Sequence, residues 1–117
     1  MRRFVSSLVA AGLLGACGGG GVGNAPAVVA VYVLLGSMQC SGGGTTADAL
    51  QKELIAHSID VIATRCGLDG LPRPQVCGES DGHIAVFDVV ETQAALALAI
   101  GFSLLSTLSN PTVGDCQ

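Results

Sequence analysis

The sequence predicts a small α+β domain, in which two helices cover one face of an antiparallel sheet. Three observations support this fold class: the elements follow the order β-α-β-β-α, apolar residues make up 50% of the 117-residue chain, and two of the strands are apolar almost throughout. This length suits a single domain. The formal net charge of −4 and the small number of basic residues, five, argue against nucleic-acid binding, which needs clustered Lys and Arg.

The first strand and the first helix are predicted by two different patterns. Residues 25–35, APAVVAVYVLL, are apolar on both faces, which is typical of a strand that is covered on both sides or central in a sheet. Residues 36–44 predict a loop. Thr45 and Asp48 have capping-box spacing, and an amphipathic helix follows as far as Ser58.

Two further strands and a second helix are predicted downstream. Residues 59–65, IDVIATR, alternate like a half-buried strand, and residues 83–90, HIAVFDVV, form a third strand that is nearly continuous in apolar character. The Gly- and Pro-rich residues 66–82 between them predict a loop. Thr92 caps a second helix over residues 93–108, which the following Asn-Pro pair ends.

The order of these elements predicts the topology. With residues 112–116 as a short last strand it becomes β-α-β-β-α(-β), the split βαβ pattern of a ferredoxin-like sandwich. In that fold the first and third strands are central. These are also the two most continuously apolar strands, so pattern and composition agree.

The second helix is apolar on all sides, because no charged residue occurs between Glu91 and Asp115. A helix of this kind is normally buried on more than one side, and a single sheet covers only one. The stretch is shorter than the roughly 20 residues of a membrane span. We therefore expect a homo-oligomer contact or a protein partner at the helix 93–108.

The N-terminus carries an export pattern. Arg2 and Arg3 precede an uncharged run from Phe4 to Ala16, which indicates a signal peptide. The run ends in LGAC, with the cysteine at position 17, and this resembles the lipobox of bacterial lipoproteins. The resemblance implies that residues 1–16 are removed and that Cys17 is lipidated, which anchors the protein to a membrane.

Residues 17–24 are interpreted as the lipidated cysteine and a Gly-rich tether, and residues 25–117 as the single domain. The alternatives are a plain signal peptide or an N-terminal structural helix. A phosphate-binding loop is disfavoured because these glycines precede a strand. The resemblance implies a bacterial cell-envelope location. In a Gram-negative host it implies the outer membrane, facing the periplasm, because Gly18 replaces the Asp associated with inner-membrane retention.

The other four cysteines fall at one end of the predicted sheet. Cys40 follows the first strand, Cys66 follows the second, Cys77 precedes the third, and Cys116 lies in the tail. Exported proteins form disulfides, and four cysteines allow three pairings. We expect Cys66 to pair with Cys77, because they flank one connection between neighbouring strands, and Cys40 to pair with Cys116.

A metal site is the alternative at this end. The loop GSMQCSGG, residues 36–43, resembles the Met-x-Cys-x-x-Cys loop of heavy-metal-associated domains in Met38 and Cys40, although Gly43 stands where that family has its second cysteine. The resemblance implies copper or zinc on Met38 and Cys40, with His83 as a substitute ligand. The main interpretation includes no cofactor.

Three other site hypotheses have weaker support. Residues 41–46, SGGGTT, could bind an anion at a helix start, but the lysine of a P-loop is missing. His57 and His83 could activate a cysteine, but no hydrolase motif flanks them and we predict no enzyme. Glu79 and Asp81 form a solvated turn, or contact a cation or a partner. The sequence thus predicts a structural or interaction module of the envelope, with a metal-binding lipoprotein as the alternative.

Overall fold

The computed structural model describes residues 26–116, which form an α+β fold with two helices and a five-stranded antiparallel sheet. This confirms the predicted class. The predicted signal peptide, the predicted lipidation site Cys17 and the predicted tether lie outside the described residues. The elements are β1 (Val28–Leu34), α1 (Ala47–Ala56), β2 (Val61–Leu68), β3 (His83–Val90), α2 (Ala94–Ala99), β4 (Ser103–Leu104) and β5 (Thr112–Gly114), with single 3-10 turns at Glu91–Gln93 and Leu105–Thr107.

The sheet has the order β4-β1-β3-β2-β5, and β3 lies at its centre. Phe87 of β3 is paired with Val31 of β1 on one side and with Thr64 of β2 on the other. Most side chains of β3 are buried on both faces of the sheet, which explains the nearly unbroken apolar run in its sequence. Leu34, Leu68 and His83 lie at the same end of the sheet, which we call the cysteine end.

One face of the sheet carries the main core. Both helices contribute to it, α1 through Leu50 and Leu54 and α2 through Ala97, and these residues form one cluster with Phe87 of the sheet. Phe102 joins the cluster and meets Phe87 edge to face, with ring centroids 5.9 Å apart. Leu50 and Leu54 are four residues apart and lie on one side of α1, and this side packs on the sheet.

α1 begins one residue later than the capping-box spacing predicts. Thr46, not Thr45, is the N-cap, and its hydroxyl accepts a hydrogen bond from the Ala49 amide. At the other end Ser58 has a φ of 64°, and the Ile59 amide donates to the Leu54 carbonyl. This is a Schellman ending, which turns the chain into β2.

The second helix is much shorter than predicted. α2 ends at Ala99, and residues 103–108 form β4 and a 3-10 turn instead of further helix. Gly101 has a φ of 110°, its amide donates to the Leu98 carbonyl, and the Phe102 amide donates to the Ala97 carbonyl. This Schellman ending places Phe102 in the core and lets β4 pair with β1, and these gains outweigh the helical preference of an all-apolar run.

The C-terminal segment covers the other face of the sheet. Alternate residues of β3 point away from the helices, which puts Ile84 and Val86 on this face. Both side chains are completely buried. β4 and β5 occupy opposite edges, so the chain between them, residues 105–111, crosses the sheet. The predicted last strand, residues 112–116, is present as the shorter β5, Thr112–Gly114, which pairs with β2.

Within residues 26–116, no helix has the length and apolar character that crossing a membrane requires.

Candidate functional site

Two loops meet at the cysteine end and enclose a cleft of about 510 Å³. One loop joins β1 to α1 and the other joins β2 to β3, so the cleft lies beyond the ends of the two strands that flank β3. Its lining combines apolar, polar and charged residues: Gln39, Cys40, Leu68, Asp69, Gly70, Leu71, Arg73, Gln75, Cys77, Asp81 and Gly82. We call it the disulfide cleft.

The four cysteines near this end form two disulfides, but the predicted pairing is wrong. Cys40 is bonded to Cys77, with Cα atoms 5.2 Å apart, and Cys66 is bonded to Cys116, at 4.8 Å. The reason is the position of β5, whose Gly114 lies opposite Cys66 and brings the tail to β2. Cys77 is then left for Cys40, and their bond joins the two loops of the cleft.

A buried ion pair forms one wall of the cleft. Arg73 donates to both carboxylate oxygens of Asp69, at 2.7 and 2.8 Å, and Asp69 is only 2% exposed. The hydrogen bonds from Arg73 hold the pKa of Asp69 below its ordinary value, although burial opposes this, and the same bonds raise the pKa of Arg73. Both groups are therefore charged at neutral pH, and the loop after β2 is fixed by them.

Asp81 is a second acidic residue of the cleft lining, and it lies close to the Asp69–Arg73 pair. Its carboxylate accepts hydrogen bonds from the Ser37 hydroxyl at 2.8 Å and from the His83 amide at 3.0 Å, and it lies 3.0 Å from His83 Nδ1. Burial alone would raise the pKa of Asp81, but these hydrogen bonds outweigh burial and lower it. Asp81 is thus an anion that links the β1 loop to the start of β3.

Gln39 closes the space between the two loops. Its side-chain amide donates to the carbonyls of Pro74 and Ser80, and its backbone exchanges hydrogen bonds with Gly78 and Glu79. Together with the Cys40–Cys77 bond, these contacts give the cleft a fixed shape. The contacts of Gln39 satisfy the carbonyls of Pro74, Ser80 and Glu79 and the amide of Gly78.

The alternative metal ligands are not assembled as free donors. Cys40 is bonded to Cys77, so its sulfur is not a thiolate, and His83 faces Asp81. Met38 forms backbone bridges with Ser80 and Gly42, and its exposed side chain has no thiolate partner in Cys40. Among residues 26–116 no group of three or more His, Cys, Asp or Glu side chains is placed to hold a metal ion.

The structure also accounts for the SGGGTT loop and for His57, two other predicted sites. The Gly42 and Thr45 amides of the SGGGTT loop donate to the carbonyls of Met38 and Leu35, so they are not free for an anion. His57 caps the far end of α1, where its Nδ1 lies 2.9 Å from the Glu53 carbonyl. It therefore lies away from the cysteines.

Sequence reasoning missed Asp69, Arg73 and Gln39 as parts of this site. The available signal was the segment DGLPR, in which Asp69 and Arg73 are four residues apart across a Gly-x-Pro turn. Glu79 and Asp81 were recognised as a cluster, and the structure places Asp81 at the cleft.

The chain matches no protein-family model, no curated protein and no solved structure.

Proposed function

We propose that this chain is a lipid-anchored protein of the bacterial cell envelope, and that its folded domain is a structural or protein-interaction module. The observation that carries the proposal is the sequence LGAC ending at Cys17, which follows a basic start and an uncharged apolar run and precedes the Gly-rich residues 18–24. In a Gram-negative host the anchor would lie in the outer membrane and the domain would face the periplasm.

The disulfides support an exported location. Of the five cysteines of the chain, four are paired with one another, Cys40, Cys66, Cys77 and Cys116. The remaining cysteine is Cys17. Stable disulfides are typical of oxidising compartments. Lipidation of Cys17 would leave an even number of cysteines for this pairing.

The direction of β1 supports an outward-facing cleft. The described chain enters β1 at Val28, and the disulfide cleft lies beyond the other end of this strand, which is roughly 20 Å long at about 3.4 Å per residue. An anchor at Cys17 would hold the entry end towards the membrane. The cleft would then be the part of the domain most accessible to other molecules.

We further propose that residues 28–104 form a ferredoxin-like unit. The order β4-β1-β3-β2, with antiparallel pairing throughout, supports this topology. β5 would be an addition to it at the free edge of β2.

We propose a partner or self-association contact at residues 93–108 over a smaller surface than the sequence predicts, because α2 covers only Ala94–Ala99. Leu96 and Leu98 of α2 are 50% and 41% exposed, whereas Ala97 and Phe102 are buried. The two leucines are two positions apart and project from opposite sides of α2, so a contact at this helix would use one exposed leucine rather than a continuous apolar stripe.

Lipidation is tested by expressing the full chain in a bacterium that is fed a labelled palmitate. We expect label on the wild-type protein, recovery in the membrane fraction, and a longer precursor when the lipoprotein signal peptidase is inhibited with globomycin. Cys17→Ser should remove the label and the membrane attachment. Gly20→Ala in the tether is the control and should behave like the wild type, whereas a Cys17→Ser protein that stays in the membrane would contradict the proposal.

A further inference from the structure

Exposed apolar side chains lie at the disulfide cleft. Leu68 and Leu71 line it and are 41% and 50% exposed, and Val76 lies between two lining residues and is exposed as well. Apolar side chains grouped around a concave surface are typical of binding sites.

The walls of the cleft are fixed before anything binds. The Cys40–Cys77 bond joins the two loops, and Arg73 donates two hydrogen bonds to Asp69. The side-chain amide of Gln39 donates hydrogen bonds to two carbonyls of the long loop. A surface that is already ordered loses little conformational entropy when it binds a partner. The cleft therefore suits rigid recognition of a short segment.

The charge around the cleft is negative, because the carboxylates of Asp69, Glu79 and Asp81 lie near the single guanidinium of Arg73, and Asp81 also contacts the His83 ring. Each basic side chain among residues 26–116 already has a carboxylate partner: Lys52 pairs with Asp48, Arg65 with Asp88, and Arg73 with Asp69. Glu79 and Asp81 add two carboxylates close enough to Arg73 to raise its pKa further. Neither forms an ion pair with a Lys or Arg of the described chain.

We propose that the disulfide cleft binds a segment of another envelope protein in which a Lys or Arg is flanked by aliphatic side chains. The aliphatic groups would pack on Leu68 and Leu71, and the basic group would lie against Asp81 and Glu79. This deepens the proposed interaction function and rests on it, but it does not depend on lipidation of Cys17.

The same charges disfavour other occupants. A second copy of this domain is itself acidic, with nine Asp and Glu in the chain, and its own Lys52, Arg65 and Arg73 are already paired. An anionic lipid surface would be repelled for the same reason. Charge complementarity therefore selects a basic protein segment.

The test uses the purified full chain with intact disulfides and a library of short random peptides displayed on phage. Selected peptides should be enriched in Lys or Arg next to Leu, Ile or Val. A synthetic copy of a selected peptide is then titrated by calorimetry. We expect binding to weaken as NaCl is raised to about 0.5 M, because salt screens the charge attraction.

Two pairs of variants locate the bound peptide. Leu71→Ser should weaken binding about tenfold, whereas Leu96→Ser, at an equally exposed leucine of α2, should leave it unchanged. Glu79→Gln should weaken binding about threefold, and the exposed Glu53→Gln on α1 should not. All four residues are exposed, so thermal melts should match the wild type.

The proposal is overturned if no basic and aliphatic peptide is enriched, if acidic peptides are selected, or if Leu96→Ser weakens binding and Leu71→Ser does not. The Cys17→Ser chain, tested in parallel, should bind the peptide like the wild type. Peptide binding therefore tests the cleft, and palmitate labelling separately tests lipidation.

Discussion

Arg73 is bound to Asp69 through both of its terminal nitrogens, and it compensates a carboxylate that is almost fully buried. Arg73→Ala would leave that charge unpaired, and we expect a loss of about 2–3 kcal/mol in the free energy of unfolding, measured by urea denaturation at neutral pH. Lys52→Ala, which breaks an exposed pair with Asp48, should cost less than about 1 kcal/mol. Equal losses in the two variants would contradict a stabilising role for the buried pair.

The same pair should make stability depend on pH on the acid side. The pKa of Asp69 is lower in the folded protein than in the unfolded chain, so its contribution is complete above the unfolded value of about 3.8 and is lost as the pH falls through the folded value. Asp69→Asn should reduce this acid-side decline in urea unfolding series. Part of the decline should persist, because the pKa of Asp81 is lowered too. An unchanged decline would contradict the role of Asp69.

The disulfide pairing can be checked without reduction by digestion with Asp-N protease. Cleavage before Asp48, Asp60, Asp69, Asp81 and Asp115 puts each of the four cysteines of the domain in a separate peptide. We expect mass spectrometry to find peptide 60–68 linked to the C-terminal peptide, and peptide 69–80 linked to the peptide that ends at residue 47. A link between peptides 60–68 and 69–80 would instead support pairing of Cys66 with Cys77.

Gly67 allows β5 to approach β2. A Cβ atom at Gly67 would overlap the Thr112 carbonyl oxygen, which cannot move without breaking the β2–β5 pairing. Gly67→Ala should therefore lower stability by about 2–3 kcal/mol. Gly114→Ala is the matched control in the same strand pair, since a Cβ there meets no atom within 4 Å, and it should change stability by less than about 0.5 kcal/mol. Thermal and urea unfolding of both variants compare the two positions.

Sequence reasoning succeeded where one physical signal dominated. β3 was predicted over the correct residues, 83–90, because a central strand needs apolar side chains on both faces. The first N-cap was displaced by one residue because Thr45 and Thr46 carry the same hydroxyl, and only the loop geometry selects Thr46. The four cysteines were correctly expected near one end of the sheet.

The failures have a common physical origin, which is tertiary contact. Residues 93–108 are uncharged and mostly apolar, so periodicity cannot separate a helix from a buried strand, and only Gly101 marks the break. The cysteine pairing was wrong because the sequence does not show that β5 pairs with β2, which brings Cys116 to Cys66. The pair of Asp69 and Arg73 was missed because it depends on a turn in a long loop.

The two disulfides should stabilise the protein to a similar extent but protect different regions. They span 37 and 50 residues, and closing loops of these lengths contributes about 4 kcal/mol each in the chain-entropy model. The double variant Cys40→Ser/Cys77→Ser should increase hydrogen exchange in residues 69–82 and abolish peptide binding at the cleft. Cys66→Ser/Cys116→Ser should increase exchange in residues 105–116 and leave peptide binding intact, because β5 lies outside the cleft lining. If exchange in residues 69–82 stayed unchanged without the Cys40–Cys77 bond, the hydrogen bonds of Gln39 and Arg73 alone would hold the cleft, and the bond would not be needed for its shape.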